Sequence, residues 1–255
     1  MALVTGASRG IGRAAALQFA RLGASVALVA RTQDDIAQAA SEIRSGGGRA
    51  LAVRADIGRL DEVQAAVAQV TEELGPVDIL VNNAALMPLG LLASGDPAEW
   101  REAIAVNLLG AYDLMRAVLP GMLARRWGRI VNVSTKAISM TNLTHRSAYV
   151  TSKAALDRLS LAAAAELAGS GVAVNVVYPG VTDTPMQAQL RQAAPGLLSE
   201  SEQVMWRERH ARGELHPPED GARLIASVAL SGLHGQIVEL EDERAQALLR
   251  DYPIH

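Results

Sequence analysis

Tyr149 and Lys153 are the two residues of this sequence whose types and spacing most clearly suggest catalysis. Lysine is rare here: of 24 Lys and Arg residues, only Lys136 and Lys153 are lysines. Residues four apart on a helix share one face, so the ammonium of Lys153 can lie beside the phenol of Tyr149. The pair predicts a tyrosine acid/base with a cation next to it. An incidental tyrosine and lysine on one helix would give the same pattern.

Lys153 is expected to lower the pKa of Tyr149 by a large amount. A free tyrosine titrates near pH 10. A cation about 4 Å away, at an effective dielectric near 20, stabilises the phenolate by about 4 kcal/mol. That energy corresponds to roughly three pKa units. The pKa of Tyr149 would then lie close to neutral pH, where an acid/base catalyst is most effective.

A glycine-rich turn lies at the other end of the chain, where Thr5-Gly6-Ala7-Ser8-Arg9-Gly10-Ile11-Gly12 follows a short apolar run. Between a strand and a helix, such a turn presents backbone N–H groups and a helix N-terminus to a pyrophosphate. Glycines of an ordinary structural turn are the alternative. The strand before this turn and the helix after it are the context that phosphate binding requires.

Short apolar segments alternate with longer helical ones along the chain, which is typical of a parallel sheet covered by helices. Several of these segments are unbroken Val, Ile, Leu and Ala runs, as in strands buried on both faces. The predicted strands are Ala2–Thr5, Ser25–Ala30, Ala50–Ala55, Asp78–Val81, Arg129–Ser134, Val172–Val177 and Gln236–Leu240. Helices are predicted near 11–22, 33–45, 61–73, 98–122, 149–168 and 219–230.

We predict one domain over residues 1–240, followed by a peripheral charged tail at 241–255. The irregular segment 183–218 is expected to be a mobile loop or a small helical cap over the substrate. Pro120 should kink or end the helix that contains it.

Composition excludes several other classes of function. A net charge of −3 implies no broad basic surface for nucleic acid. The chain has no cysteine, which excludes disulfides, thiolate metal sites and cysteine nucleophiles, and its five histidines show no metal-ligand spacing. No signal peptide and no apolar run of membrane-spanning length is evident. We therefore expect a cytoplasmic protein without a metal site.

Four ordered motifs together resemble the short-chain dehydrogenase/reductase family, in its compact single-domain branch. These are the glycine turn, Asn82-Asn83-Ala84-Ala85, Tyr149-x-x-x-Lys153, and Pro179-Gly180 followed by Thr184. The match runs from about residue 2 to 186. It implies an α/β fold with a doubly wound parallel sheet (Rossmann fold) and helices on both faces. It also implies hydride transfer between NADP(H) and a carbonyl/alcohol pair.

The resemblance implies a role for each matching residue. Tyr149 would be the general acid/base, Lys153 would lower its pKa and bind the nicotinamide ribose, and Asn107 would hold a proton-relaying water. The implied cofactor-binding residues are Gly6, Ser8, Arg9, Gly10, Ile11, Gly12, Arg31, Asp56, Ile57, Asn83, Ala84, Tyr149, Lys153, Pro179, Gly180, Thr182 and Thr184.

Several of these residues could have a structural role instead of a role in cofactor binding. Asp56 can meet the adenine edge or cap a turn, and Thr184 can lie near the phosphates or only cap a helix. The amides of Asn82 and Asn83 can join neighbouring strands or line the cofactor site. The sequence also departs from the family pattern: Ala85 replaces a glycine, and the usual Asp-Gly-Gly after the last strand is absent.

The catalytic hydroxyl of the family pattern Asn-x-Ser-Ser is ambiguous here. Counting from Asn132 selects Thr135, whereas counting back from Tyr149 reaches Lys136, which has no hydroxyl. Ser134 is the second candidate, but its side chain would point to the opposite face if the strand extends that far. We expect Thr135 to act.

The residues after the second strand predict NADP(H) rather than NAD(H). Ala30 stands where NAD enzymes place an acid, and Arg31 follows it. Arg31 and Arg9 can bind a 2′-phosphate through charge-assisted hydrogen bonds. Asp34 and Asp35 lie a turn too late to read the ribose.

Other expectations concern the substrate and the assembly. Apolar loop residues expected at the pocket, and hence an apolar substrate, are Met87, Leu89, Ile138, Met140, Leu143, Met186 and Trp206. The helix from Tyr149 is apolar almost all round, which predicts a homodimer or homotetramer. The competing functions are a dinucleotide-binding regulatory protein without turnover and an extended nucleotide-sugar epimerase or dehydratase.

Overall fold

The computed structural model describes residues 1–141, 143–194 and 196–251. Seven parallel strands form one sheet: β1 (Ala2–Thr5), β2 (Val26–Ala30), β3 (Ala50–Arg54), β4 (Ile79–Asn82), β5 (Gly128–Val133), β6 (Val172–Tyr178) and β7 (Ile237–Glu239). Their order across the sheet is β3-β2-β1-β4-β5-β6-β7. Each predicted strand is confirmed to within about one residue at either end, because continuous β-branched and apolar runs have few alternative conformations once both faces are covered.

Ten α-helices lie in the described residues: α1 (Gly10–Arg21), α2 (Gln33–Ser45), α3 (Leu60–Leu74), α4 (Pro97–Ile104), α5 (Gly110–Arg125), α6 (Ser147–Glu166), α7 (Pro185–Arg191), α8 (Glu200–Ala211), α9 (Pro218–Leu230) and α10 (Glu243–Asp251). A π-helical turn at Ala105–Leu109 joins α4 to α5, and a 3₁₀ turn at Lys136–Ser139 follows β5.

Two apolar cores cover the two faces of the sheet, so the predicted doubly wound fold is confirmed. Alternate residues of one strand enter opposite cores: Ala2 and Val4 of β1 join α1, α2 and α9, whereas Leu3 joins α3, α5 and α6. The strand order reverses between β1 and β4. In open α/β sheets, ligands bind at the carboxyl ends of the strands at such a reversal.

A kink or an end of the helix is expected at Pro120. The helix does not end there but continues to Arg125, and the kink stays a prediction. Pro120 and Arg116, four positions earlier, are both exposed, so water can bond the carbonyl that the proline leaves free. The charged tail, expected to be peripheral, packs on the core through part of its described residues. Residues Glu243–Asp251 form α10, whose Ala245 is fully buried against the α9 side of the sheet.

The segment at 183–218 contains α7 and α8, which agrees with the helical cap among the two expected alternatives. A small apolar cluster fixes these helices to the rest of the fold. Its buried members are Met87, Leu190 and Leu198, and Tyr149, Met186 and Trp206 pack against them. The covering helices are thereby placed over the carboxyl edge of the sheet.

One helical stretch of the described chain, Pro97–Arg125, is long and apolar enough to cross a membrane by length and composition alone. This differs from the expectation that no such run exists. Leu114, Met115, Val118 and Met122 of this stretch are buried in the core against the sheet. A buried core helix passes the same test, so this finding is weak evidence for a membrane span.

Candidate active site

A cavity of about 1150 Å³ opens at the carboxyl edge of the sheet, beside the strand reversal. It brings together nearly all the residues that the sequence selected. The predicted residues in its lining are Gly6, Ser8, Arg9, Gly10, Ile11, Arg31, Asp56, Ile57, Asn83, Ala84, Ser134, Thr135, Tyr149, Lys153, Pro179, Gly180, Thr182 and Thr184. Gly12 and Asn107 lie behind the wall and do not line it.

The glycine turn has a shape that only glycine can supply. Gly6 and Gly10 have positive φ angles of 64° and 57°. A Cβ added at Gly12 would lie 2.3 Å from the carbonyl oxygen of Gly6. The turn therefore packs directly against the first turn of α1.

The N-terminus of α1 faces this turn without a protein partner among the described residues. Arg9 is the N-cap residue, makes no side-chain capping bond, and no acid lies in the first turn of the helix. The first N–H groups of a helix have no intrahelical acceptor. Together with the helix dipole, they suit a phosphate, and the open glycine backbone leaves room for one.

Thr5 links β1 to the chain after β4. Its Oγ1 accepts hydrogen bonds from the backbone N–H groups of Asn83 at 3.0 Å and Ala84 at 3.1 Å. The amide of Asn83 donates to the carbonyl of Thr5 at 3.0 Å. Asn82 instead donates to Asn132 Oδ1 at 2.8 Å, across β4 and β5. Asn82 therefore joins strands, whereas Asn83 both braces the glycine turn and lines the cavity.

Asp56 and Ile57 lie after β3 at the far end of the cavity. Oδ1 of Asp56 accepts from Gly58 N at 2.9 Å, which is the turn-capping role left open by the sequence. Ile57 is 6% exposed and contributes to the cavity wall. The two residues thus combine a local structural role with a position at the cavity.

Arg9 and Arg31 lie on the rim of the same end. Both are exposed, and Arg31 donates to Glu102 of α4 at 2.8 Å. The side chains of Arg31 and Glu102 are each about half exposed, at 51% and 49%. Such a solvated pair contributes little stability, so Arg31 can exchange Glu102 for another anion at small cost.

The segment after β6 forms the opposite wall. Gly180 has a φ of 71°, and Thr182 Oγ1 donates to the carbonyl of Pro179 at 3.1 Å. Thr184 caps α7 by accepting from Gln187 N at 3.3 Å. Thr184 also lies next to the glycine turn, because a Cβ at Gly10 would come within 3.2 Å of its methyl group.

Tyr149 lies in the first turn of α6, between the cavity and the covering helices. Burial raises the pKa of its phenol to about 12, while a hydrogen bond with Thr135 and the charge of Arg146 act in the opposite direction. The expectation that Lys153 brings this pKa close to neutral is not met in the structure. Desolvation disfavours the phenolate, and the ammonium of Lys153 is engaged elsewhere.

The ammonium of Lys153 donates to the carbonyl oxygen of Val133 at 2.7 Å. Lys153 is 3% exposed, and burial lowers its pKa to about 8, with the carboxylate of Asp157 partly opposing this shift. Lys153 thus spans from α6 to the end of β5. Its charge is retained at neutral pH.

The two candidate hydroxyls face different partners. The hydroxyl of Thr135 lies on the Tyr149 side of the cavity and lowers the pKa of Tyr149. Ser134 Oγ donates to the carbonyl of Lys153 at 3.4 Å and lowers the pKa of Asp157. The alternation of side chains at the end of β5 explains this separation.

Asn107 lies in the π-helical turn between α4 and α5. Its amide donates to Leu86 O at 2.8 Å and to Ser152 Oγ at 2.9 Å, and its Oδ1 accepts from Leu86 N at 2.7 Å. Asn107 therefore ties the chain after β4 to α6. π-Helical turns occur frequently at functional sites.

Sequence reasoning missed several charged residues of the cavity, which are Lys136, Arg146, Glu202, Glu239 and Glu241. Arg146, three residues before Tyr149, and Glu202, on α8, form an ion pair in its wall. Because Arg146 and Glu202 lie 56 positions apart in the sequence, no local pattern indicates that they form a pair. Of the apolar residues expected here, Met87, Met140, Leu143, Met186 and Trp206 line the cavity. Leu89 lines a smaller neighbouring cavity of about 310 Å³, and Ile138 lines neither.

Comparison with known proteins gives consistent similarities. Residues 1–195 match the family model described as short chain dehydrogenase. The chain is 38% identical over 196 residues to the ketoacyl reductase HetN of Nostoc sp., covering 76% of this chain and 68% of that protein. It is 41% identical over 195 residues to the oxidoreductase UcpA of Salmonella typhimurium, covering 76% and 74%.

Solved structures agree with the fold along nearly the whole chain. A substituted actinorhodin polyketide ketoreductase with NADPH superimposes with a TM-score of 0.86 at 32% identity, covering 93% of this chain and 94% of that one. A protein described as an NAD(P)-dependent gluconate 5-dehydrogenase from Beutenbergia cavernae, with NADP at low occupancy, gives 0.82 at 35% identity, covering 94% of each chain. With its cavity at the strand reversal and this match in sequence, the chain belongs to the short-chain dehydrogenase family and is an oxidoreductase of that family.

Proposed function

We propose that the protein interconverts a carbonyl compound and an alcohol with NADP(H), and that Tyr149 is the general acid/base. The observation that carries the proposal is the position of Tyr149 and Thr135, which both line the cavity that the glycine turn opens into. Ketoreductases among the relatives and neighbours support this reaction class. Oxidation of NADPH in the presence of a panel of ketones and aldehydes tests it.

The cavity suits a dinucleotide on structural grounds. The uncapped N-terminus of α1 and the glycine backbone would bind the pyrophosphate, with Asp56 and Ile57 near the adenine and Pro179 to Thr184 near the nicotinamide. Bound NADP(H) supplies the hydride chemistry, and the protein supplies binding, orientation and proton transfer.

The chain's own residues perform the proton chemistry. In the direction of reduction, Thr135 donates a hydrogen bond to the substrate oxygen, and the Tyr149 hydroxyl gives it a proton as negative charge develops there. A neutral phenol is the form needed for this step, and burial keeps Tyr149 neutral. Arg146 provides positive charge that stabilises the phenolate left afterwards. Asn107 holds α6 in position through Ser152.

We expect NADPH to give a higher kcat/KM than NADH. Arg31→Ala should raise the KM for NADPH at least about tenfold, since one charge-assisted hydrogen bond contributes about 1.5–3 kcal/mol. The KM for NADH should change little, because NADH has no 2′-phosphate. Steady-state kinetics with both cofactors measures this, and Arg21→Ala on the exposed end of α1 is the matched control. A kcat/KM for NADH equal to or above that for NADPH would contradict the assignment.

The proposal includes a cytoplasmic homodimer or homotetramer. On α6, the side turned away from the sheet exposes Thr151, Ala154, Arg158, Ala162 and Ala165. Leu109 and Tyr112 at the start of α5 are also exposed, at 50% and 44%. A largely apolar surface of this kind gains stability when a second copy covers it.

Light scattering at micromolar concentration should therefore give the mass of a dimer or tetramer. Ala162→Arg should lower that mass, because a buried unpaired charge disrupts an apolar interface. Gln69→Arg, on the exposed side of α3, is the control. A monomeric parent protein would refute the assembly.

Binding of NADPH without turnover of any carbonyl compound would favour the competing function, a dinucleotide-binding regulatory protein. The cavity itself does not distinguish the two, because a fold can keep its binding site without the reaction. Activity that depends on Tyr149 separates them.

A further inference from the structure

Arg146 and Glu202 form an ion pair at the covered end of the cavity. Arg146 is 5% exposed, and its guanidinium contacts Glu202 Oε1 through Nη2. Arg146 is the residue before α6, three positions from Tyr149, whereas Glu202 lies in the first turn of α8. The pair therefore connects the helix that carries the acid/base to the helix that covers it.

Capping of α8 does not explain the position of the Glu202 carboxylate. Ser199 caps α8 by accepting from Glu202 N at 3.2 Å. In a capping box, a glutamate at this position bonds back to the backbone N–H of the N-cap residue. Here Oε1 of Glu202 contacts Arg146 and accepts from Trp206 Nε1 at 3.4 Å instead. The carboxylate is thus directed toward Arg146.

The covering helices contribute one charged residue to the cavity. Of the described residues in the covering segment 184–206, Glu202 is the only charged one that lines the cavity; Met186, Leu190, Met205 and Trp206 also line it. Arg146 lies three residues before Tyr149, and both residues line the cavity. A substrate bound at Tyr149 must therefore lie close to this pair.

We propose that Glu202 is a specificity-determining residue: it occupies Arg146, so that the site accepts ketones with no charge beside the carbonyl and excludes the corresponding carboxylates. This inference rests on the proposed carbonyl reduction. Glu202 is held by the fold, so its effective concentration at Arg146 is high, and a free carboxylate must displace it. An incoming anion also meets the negative charge of Glu202, which is a repulsive element against the wrong substrate.

The test compares a keto acid with its neutral ester, using acetoacetate and ethyl acetoacetate with NADPH. In the parent protein, kcat/KM for the ester should exceed that for the acid at least tenfold. Glu202→Gln keeps the size of the side chain and its acceptor for Trp206 but removes the charge. The ratio of kcat/KM for the ester to kcat/KM for the acid should then fall at least tenfold, because the buried guanidinium of Arg146 is left free for the substrate carboxylate.

Two further variants separate this effect from a change in net charge. Glu200 is an exposed glutamate in the same turn of α8, and it does not line the cavity. Glu200→Gln should therefore have the same ratio of kcat/KM for ester and acid as the parent protein. Adding Arg146→Met to Glu202→Gln should abolish the increase in kcat/KM for the acid. A parent protein that prefers the acid, or an unchanged ratio in Glu202→Gln, overturns the proposal.

Calorimetric titration of acetoacetate into the proteins loaded with NADP⁺, which has no hydride to transfer, gives a readout that needs no turnover. Glu202→Gln should bind the acid at least tenfold more tightly than the parent protein does. If this shift occurs while neither compound is reduced, the proposed reaction is wrong and the specificity role stands. If the ester is reduced but binding of the acid does not change, the reaction stands and the specificity role is wrong.

Discussion

Replacing Tyr149 by phenylalanine should lower kcat at least about a hundredfold, which is the usual contribution of a positioned acid/base. The variant loses only the hydroxyl, and its ring still packs against Met87, Leu190 and Leu198. The glycine turn and the cofactor end of the cavity are untouched. NADPH binding, measured by fluorescence or calorimetry, should therefore equal that of the parent protein.

Trp127→Phe is the control, because Trp127 is 40% exposed between α5 and β5 and lies outside the cavity. Its kcat should stay within a factor of about two, as is usual for a surface position away from the site. Retained activity in Tyr149→Phe would refute the proposed mechanism. Loss of NADPH binding in the same variant would instead show that the phenol supports the cofactor site rather than the proton transfer.

Replacing Thr135 by alanine should reduce kcat/KM by one to three orders of magnitude, the scale of losing one preorganised donor. The hydroxyl of Thr135 lies on the Tyr149 side of the cavity and accepts a hydrogen bond from Ala137 N at 3.1 Å. Thr135→Ser keeps both functions and should restore most of the activity. This rescue separates the lost hydrogen bond to the substrate from a general disturbance of the 3₁₀ turn.

Ser134→Ala should cost much less than Thr135→Ala, although Ser134 is the more buried of the two residues. Its hydroxyl donates to the carbonyl of Lys153 and lowers the pKa of Asp157, on the side away from the substrate oxygen. Parallel measurements of kcat/KM and of thermal unfolding on both alanine variants are the test. If Ser134→Ala loses more kcat/KM than Thr135→Ala at equal stability, the roles of the two hydroxyls are reversed.

The strands and the glycine turn could be predicted from the sequence because their causes are local. Unbroken runs such as Val26–Ala30 are stable only when both faces are covered, which implies the layered fold. Gly6 and Gly10 have positive φ angles that follow from the turn itself. The choice of Thr135 over Ser134 is a further local inference, since adjacent side chains of an extended segment point in opposite directions.

Contacts between residues distant in the sequence determine the partner of Lys153 and the pKa of Tyr149. Lys153 and Tyr149 share a helix face, as their spacing predicts, but the ammonium bonds the carbonyl of Val133 on another element. The pKa of Tyr149 depends on burial, and burial is a property of the packed cavity rather than of a spacing. The covering helices α7 and α8 contribute that burial through a separate apolar cluster.

The pairing of Arg146 with Glu202 shows the limit of sequence reasoning for this protein. Each is one of many charged residues in a chain with 24 basic and 27 acidic side chains, and neither belongs to a motif. Only the tertiary structure places α8 against the start of α6 and removes both groups from water. Short-range backbone preferences thus specify the elements and the cofactor turn, whereas the electrostatics of the substrate end arise from which distant side chains are buried together.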